Sequence, residues 1–526
     1  MTEAFRSGRP ISVQRYSDLF EGFEPEELRL IPQLKRFFEC YEGDRELRTN
    51  LEAGMATAEQ LALLREIGIT FDVDELSPLW KDKRVFEDAL MNPEESDPKD
   101  VTDLLARSPL LNLWARFVMK KAEMYRAQRH FCTHQPSSSP RYTAWRRRRL
   151  AAVRSELGMY GYNIDHPQLA IELAVGCSVG CYFCAFDAKK LARLFDYTVP
   201  ENRALFRGVA GVFRDRLGWS AGHALLYWST EPADNPHYID FLRDYEEITG
   251  ATLCTATARA NDEWVADLIA FYRRQTLPWP RISVLTRSIM YRLHKRFTPE
   301  EARDMIMLMQ QKDSEDLRTK VPGGRDRMLN QLETYTDLRK LEDVDHRPAD
   351  LFVPQGSIAC VSGFLVNLLD RTVKLISPCY SSRQYPYGYR TFDEATFADV
   401  EDFDRVIGDM IDRKMVFEPY PAMPMRFRDD LAYRPKAEGF RLVSPNQVHH
   451  CAQDPVYAPL GELIARGTMT YDEVCDELIG AHRFNPMQVV AAIKSLFDEG
   501  FLDELSVEIP DVELLAGSSQ EMSAAG

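Results

Sequence analysis

The sequence predicts an α/β protein, with a parallel sheet and its crossover helices in the middle of the chain, a helical region before it and a small winged-helix-like unit after it. Three patterns predict this. Apolar residues recur at three- and four-residue steps from Ser17 to about Met159, short apolar runs alternate with amphipathic helices beyond His166, and three helical stretches lead into GFLDEL near the C-terminus. A chain of 526 residues exceeds what one core serves, so several folding units are expected.

In the first region, ELRLIPQLKRFFECYEG and AEQLALLREIG carry the helical period. The loop THQPSSSP, Thr133 to Pro140, separates two basic helices. Between Arg116 and Arg154 stand eleven basic residues against the single acid Glu123, which reads either as a solvated helix face or as a docking strip for an anionic peptide. The middle region supplies the runs LAIELAV, HALLYWS, ATLCTAT and RISVLT, with NPHYIDFLRDYEEI and NDEWVADLIAFYRR as helices between them. A charged segment, Lys312 to Arg347, precedes two more runs, SIACVSGFLVNLL and TVKLIS, the second ending at Pro378 and Cys379. From Phe440, FRLVSPNQVHHCA reads as two short strands, followed by helices near Ala458–Arg466, Tyr471–Ile479 and Pro486–Glu499. The predicted division is residues 1–165 helical, 166–400 sheet-forming, 401–436 linking, 437–506 winged-helix-like, and 507–526 an acidic, small-residue tail expected to be disordered.

Composition narrows the function. A net charge of −16 argues against nucleic-acid binding, which needs a basic surface for counterion release. No apolar run approaches a membrane span, and the N-terminus lacks the layout of a secretory signal, so a cytoplasmic protein is expected. In that reducing setting ten cysteines are not a disulfide framework.

Three of them form one tight group. In IELAVGCSVGCYFCAFDAKKL, Cys177, Cys181 and Cys184 follow a predicted strand at spacing C-x3-C-x2-C. Three thiolates on one loop suit a 4Fe-4S cube, one per iron, leaving the fourth iron open for S-adenosylmethionine (SAM). A structural zinc site is the bland alternative, but zinc takes four ligands and no fourth Cys or His stands at matching spacing.

This run resembles the signature of radical SAM enzymes. The resemblance implies a partial (β/α)6 barrel over roughly Pro167 to Ser382, with the cluster at the C-terminal end of the first strand and Phe183 bordering the adenine. It also implies that LYWSTEPADN is the turn contacting the SAM amino group, with Ser229, Thr230 and Glu231 where the family more often has Gly-Gly-Glu. Thr255, Thr257, Arg281 and Ser283 stand where such enzymes take ribose and carboxylate contacts, Arg281 being the favoured one. More narrowly, GCSVGCYFCAFDA, YWSTEPADNPHY, SGFLVN, ISPCYSSRQYPYGYR and RFFECYEGDRELR are similar to the proteusin-type (PoyD-like) peptide epimerases. Those convert L- to D-residues in ribosomally made precursor peptides, so a precursor with leader and core and an electron donor such as flavodoxin or ferredoxin are the implied partners. Inverting a Cα radical needs a hydrogen atom from the opposite face, and a cysteine thiol is suited to give it. Of the seven other cysteines, Cys379 at the end of an apolar run is the expected donor, on an exposed rim, with Cys360 the runner-up. No second cysteine group suggests an auxiliary cluster, and no cobalamin-binding region precedes the triplet. Peptide crosslinking through a thioether or carbon–carbon bond, or a catalytically silent leader-binding role, stays open. The C-terminal unit resembles PqqD-like precursor-recognition folds, which add a peptide strand to a sheet edge.

Overall fold

A computed structural model describes residues 16–81, 103, 105–134, 137–158, 161–162, 164–260, 262–273, 280–311, 319–320, 323–325, 353–354, 359–444 and 447–509. In chain order the principal elements are α1 (Pro25–Gly43), α2 (Arg45–Glu52), α3 (Ala58–Glu66), α4 (Pro109–His134), α5 (Pro140–Leu157), β1 (Leu169–Glu172), α6 (Pro200–Leu217), β2 (Ala224–Leu225), α7 (Tyr238–Thr249), β3 (Ala256–Thr257), α8 (Asp262–Tyr272), β4 (Arg281–Val284), α9 (Arg287–Arg296) and β5 (Ile306–Met309). There follow β6 (Gly363–Asn367), β7 (Thr372–Pro378), β8 (Tyr389–Thr396), α10 (Val400–Lys414), β9 (Ala432–Lys436), β10 (Gly439–Val443), β11 (Val448–Cys451), α11 (Tyr457–Arg466), α12 (Tyr471–Asp476) and α13 (Pro486–Asp498). The architecture is mixed α/β. Most of the charged segment from Lys312 to Arg347 and the tail beyond Ile509 lie outside the described residues. Among those described, no helix is long and apolar enough to cross a membrane.

The chain divides into two units, and the division differs from the predicted one. The first comprises Met1–Cys132, Glu231–Leu242 and Thr252–Arg318. Its three strands β3, β4 and β5 are parallel, with Ala256 beside Arg281 and Val284 beside Met309. Ile31, Leu34, Phe37 and Cys40 of α1 share one core with Val265 and Ile269 of α8, Met290 and Leu293 of α9, and Ile282, Val284, Met307 and Met309 of the strands. The helical region therefore does not end at residue 165 as a separate body, because the apolar stripe of α1 is what covers this sheet.

The second unit comprises Thr133–Thr230, Arg243–Ala251 and Thr319–Gly526. Its sheet has the order β8-β7-β6-β1-β2, with β1 parallel to both β6 and β2, and β7 and β8 antiparallel additions. Strand alternation gives the sheet two faces. Phe364 packs on Tyr142 of α5 and Phe213 of α6, and Phe213 meets Phe403 of α10, so three helices cover one face. Ala170, Leu225, Leu365 and Ile376 line the other, together with Trp228. Residues 401–436, read from sequence as a link, hold the buried α10 side chains Phe403, Val406, Ile407, Met410 and Ile411.

The same unit carries the antiparallel sheet β9-β10-β11 with α11, α12 and α13, around a core that includes Phe440, Leu460, Ile464, Val489, Ile493 and Phe497. The basic helix α5 is neither a solvated face nor a docking strip at its centre. Arg146, Arg148 and Arg149 are buried. The Arg146 guanidinium donates to the Ser362 and His166 carbonyls at 2.7 and 2.6 Å. Arg148 lies over the Phe497 ring, 4.0 Å from its centroid, and both Arg148 and Arg149 pair with Glu504. Spacing alone does not disclose this, because the acid that neutralises the helix lies 356 residues on.

Candidate functional site

Within the second unit the parallel strands β1, β2 and β6 end on one edge, where parallel α/β sheets hold their ligands. Just beyond β1, Ala174–Val175 pairs antiparallel with Arg193–Leu194, and Cys177 bridges to Lys190. The intervening loop is thus tied at its base. It carries Cys177, Cys181 and Cys184, all half-buried thiols. The Val179 amide approaches Cys177 Sγ at 3.5 Å and the Ala188 amide approaches Cys184 Sγ at 3.5 Å. Main-chain amides directed at sulfur are the kind of surrounding contact that orients metal-binding thiol groups. Among the described residues no three His, Cys, Asp or Glu side chains converge on a point suited to one ion. Phe183 is buried and meets Tyr182 edge-on at 4.9 Å, while Phe186 packs against Trp228 at 4.5 Å on the sheet face lined by Ala170, Leu225 and Leu365.

Two parts of this site escaped the sequence reading. Glu172, the last residue of β1, is a buried carboxylate. The Ser229 amide and hydroxyl donate to its Oε1 at 2.9 and 2.5 Å, and the Asn367 side-chain amide, at the end of β6, donates to Oε2 at 3.1 Å. Burial pushes the Glu172 carboxyl up from its ordinary value, and the Ser229 and Asn367 hydrogen bonds oppose that. The signal was an acid inside an apolar strand run, LAIELAV. Ser229 is therefore engaged by Glu172, at the tip of three strands.

The second part is Arg325, which lay unnoticed in the charged segment. Its guanidinium donates to the Cys181 carbonyl at 2.8 Å, the Ala188 carbonyl at 2.7 Å and Asp187 Oδ1 at 3.0 Å, and its amide donates to the Cys184 carbonyl at 3.0 Å. The preceding Gly324 has φ +50°, and a Cβ there would stand 2.2 Å from the Ala185 carbonyl oxygen. The Gly-Gly pair before an arginine was the available signal.

The remaining predicted contacts lie on both units. Thr230, in the second, is half-buried. In the first, Glu231 accepts from Thr257 Oγ1, from the Ala258 amide at 2.9 Å and from the Ala233 amide at 3.0 Å. Burial raises its carboxyl, opposed by those hydrogen bonds. Thr257 and Glu231 are thus brought together at the C-terminal end of β3, beside the Arg259–Asp234 ion pair at 2.9 Å. Thr255 is not part of this edge. It is fully buried, its hydroxyl 3.2 Å from that of Tyr238 and 2.8 Å from that of Tyr272. Arg281 also departs from expectation, because it opens β4 instead of ending it and so stands on the N-terminal edge of the ladder. Ser283 is half-buried in mid-strand.

The two candidate donor cysteines differ in their surroundings. Cys379, expected on an exposed rim, is only 1% exposed. It follows β7, its amide donates to the Gly388 carbonyl at 2.9 Å, and its charged neighbours are Arg390, Glu156, Asp429 and Asp430. Burial pushes its thiol well above the ordinary value; Arg390 lowers it and the three acids raise it. The sheet's continuation into Tyr389 closes the loop over it, which the run ISPCYSSRQ did not reveal. Cys360 lies three residues before β6, is half-buried, and packs with the Trp228 and Phe186 cluster. Cys254 precedes β3.

Comparisons with known proteins place the chain. A family model described as the protein y4wI C-terminal domain matches residues 425–499, which covers β9 to α13. A solved structure of BtrN in complex with AdoMet and 2-DOIA is 12% identical and covers 40% of this chain and 72% of its own, at a TM-score of 0.25, a likeness on which nothing here rests. The protein y4wI of Sinorhizobium fredii, carried under the description "Uncharacterized protein y4wI", is 32% identical over 468 residues, 87% of this chain and 85% of that one. With 32% identity over 87% of this chain and 85% of that relative, the chain belongs to the y4wI family.

Proposed function

We propose that the chain is a radical SAM enzyme that epimerises residues of a ribosomally made precursor peptide. The observation carrying the first half is the C-x3-C-x2-C loop at the C-terminal end of a parallel strand, with main-chain amides directed at two of its sulfurs. A three-thiolate set leaves a 4Fe-4S cube one corner short, which is the site for the SAM amino and carboxylate groups. When bound, the cluster and SAM supply one electron and a 5′-deoxyadenosyl radical able to take a Cα hydrogen. Cys177, Cys181 and Cys184 would hold the cluster, with Phe183, Ser229, Thr230, Glu231 and Thr257 as proposed SAM contacts. Thr255, Arg281 and Ser283 complete the proposed set, Arg281 from the first position of its strand.

Glu172 orients Ser229 through its amide and hydroxyl, fixing the turn after β2. The Cys379 thiol, kept protonated by its burial, retains the hydrogen atom that inversion requires; a thiolate has none to give. Donation would leave a thiyl, which one electron from an external donor of the flavodoxin or ferredoxin class and one proton from water would restore. Because Cys379 is covered, the reading requires the segment from Tyr380 to Gly388 to admit the peptide. Cys360, on the face shared with Trp228 and Phe186, is the rival donor.

Anaerobic loading with iron and sulfide should give a brown protein that forms 5′-deoxyadenosine from SAM and dithionite. Alanine at any one of Cys177, Cys181 or Cys184 should cut that product at least a hundredfold. A colourless wild-type protein, or one binding zinc alone, would remove the proposal. With a precursor peptide encoded beside the gene, epimerisation in heavy water adds one deuterium per altered residue, whereas a crosslink loses two hydrogens. Cys379→Ala should still make 5′-deoxyadenosine while yielding almost no D-residue. If Cys360→Ala behaves this way and Cys379→Ala does not, the donor is Cys360.

A further inference from the structure

We propose that Arg325 is a positioning residue that sets the geometry and the reduction potential of whatever the cysteine loop holds, an inference that rests on the cluster reading above. Four hydrogen bonds from one residue reach four places on that loop: the carbonyls of Cys181, Cys184 and Ala188, and the Asp187 carboxylate. Two of the three cysteines are held directly by their own carbonyls. The third grip acts through Ala188, the residue whose amide points at Cys184 Sγ. Only a planar fork can serve these acceptors together, so lysine at this position keeps the charge and loses the geometry.

The approach is built into the backbone. Gly324 donates its amide to the Pro386 carbonyl at 2.8 Å and lies so close to Ala185 that any side chain would collide. The segment Gly323–Arg325 is therefore wedged between the cysteine loop and the chain leading to Tyr387. Arg325 is about a quarter exposed and Asp187 somewhat more, so the pair's worth lies in placement more than in stability. Asp187 itself has φ +45°, a conformation costly to an aspartate and held here by its neighbours.

A fixed positive charge beside an iron–sulfur cluster stabilises its reduced, more negative state, and hydrogen bonds around the sulfurs act the same way. Arg325→Ala should shift the midpoint potential to more negative values and broaden the electron paramagnetic resonance signal of the reduced protein. Arg325→Lys should restore the potential in part and leave the signal broadened. Asp187→Asn, which removes the opposing charge, should move the potential the other way. The measurement is a redox titration of anaerobically loaded full-length protein, with far-ultraviolet circular dichroism as the folding check. Shifts of opposite sign for Arg325→Ala and Asp187→Asn support the assignment, as does a folded Arg325→Ala protein that loads less than half the wild-type iron. Wild-type potential and line shape in a fully loaded Arg325→Ala protein overturn it. Should Arg325→Ala not fold, Arg325→Lys and Asp187→Asn decide by the same two readouts. Failure of the wild-type chain to load at all is a different result, and strikes the cluster reading first.

Discussion

Glu504→Ala is expected to destabilise the second unit by about 3–5 kcal/mol, the cost of leaving buried charges without their partner. Arg148 is fully buried and Arg149 nearly so, and both direct nitrogens at this one carboxylate. Arg148 Nε stands 3.1 Å from each Glu504 oxygen, a planar contact that glutamine cannot reproduce in charge. Chemical denaturation of the two proteins measures the difference, and a loss below about 1 kcal/mol would contradict the argument. The pH dependence follows with a definite sign. Burial raises the Glu504 carboxyl, but Arg148 and Arg149 outweigh it and hold the group below its ordinary value. A carboxyl depressed by folding contributes stability above its unfolded value, near about 4.3, and loses it as pH falls toward the folded value. Wild-type stability should therefore fall on acidification below about pH 5, and this component should be absent from Glu504→Ala.

Gly363→Ala is the second large effect. Gly363 opens β6 with φ +153°, and a Cβ there would lie 2.0 Å from the Gln168 carbonyl oxygen and 2.9 Å from the Tyr142 hydroxyl. The strand can accept the methyl only by moving away from β1, whose ladder runs from Leu169–Phe364 to Glu172–Asn367. Backbone strain and overpacking together are expected to cost about 2–5 kcal/mol. The displacement also draws Asn367 from Glu172, so iron loading should fall along with the melting temperature. A variant with the wild-type melting temperature and full iron content would show that β6 has slack the packing does not suggest.

The cysteine loop was legible because its chemistry is local: three thiols within eight residues, after a strand-like run, need no tertiary knowledge. The alternation of β1, β2, β3, β4 and β5 with helices was legible for the same reason, each element announcing its own period. What sequence did not disclose depends on distant partners. Arg146, Arg148 and Arg149 read as a solvent face until Glu504 and the Ser362 carbonyl are seen beside them. Cys379 read as a rim residue because the strand Tyr389–Thr396, which helps to cover it, pairs only in three dimensions. Arg325 sat in a run of charges marked only by the Gly-Gly pair before it, and its contacts appear only where its fork crosses the loop. The grouping of α1 with β3, β4 and β5 was not legible because α1 shares its core with strands more than two hundred residues away.

The distance along the polypeptide between Arg148 and Glu504 bears on biogenesis. At about 5–20 residues per second, a ribosome needs roughly 20–70 s to travel from one to the other. Throughout that interval the nascent helix carries cationic groups whose anionic mate has not been made, so the second unit cannot complete its interior during synthesis. A message truncated shortly before codon 504 would yield a product that lacks this mate and is destined for proteolysis.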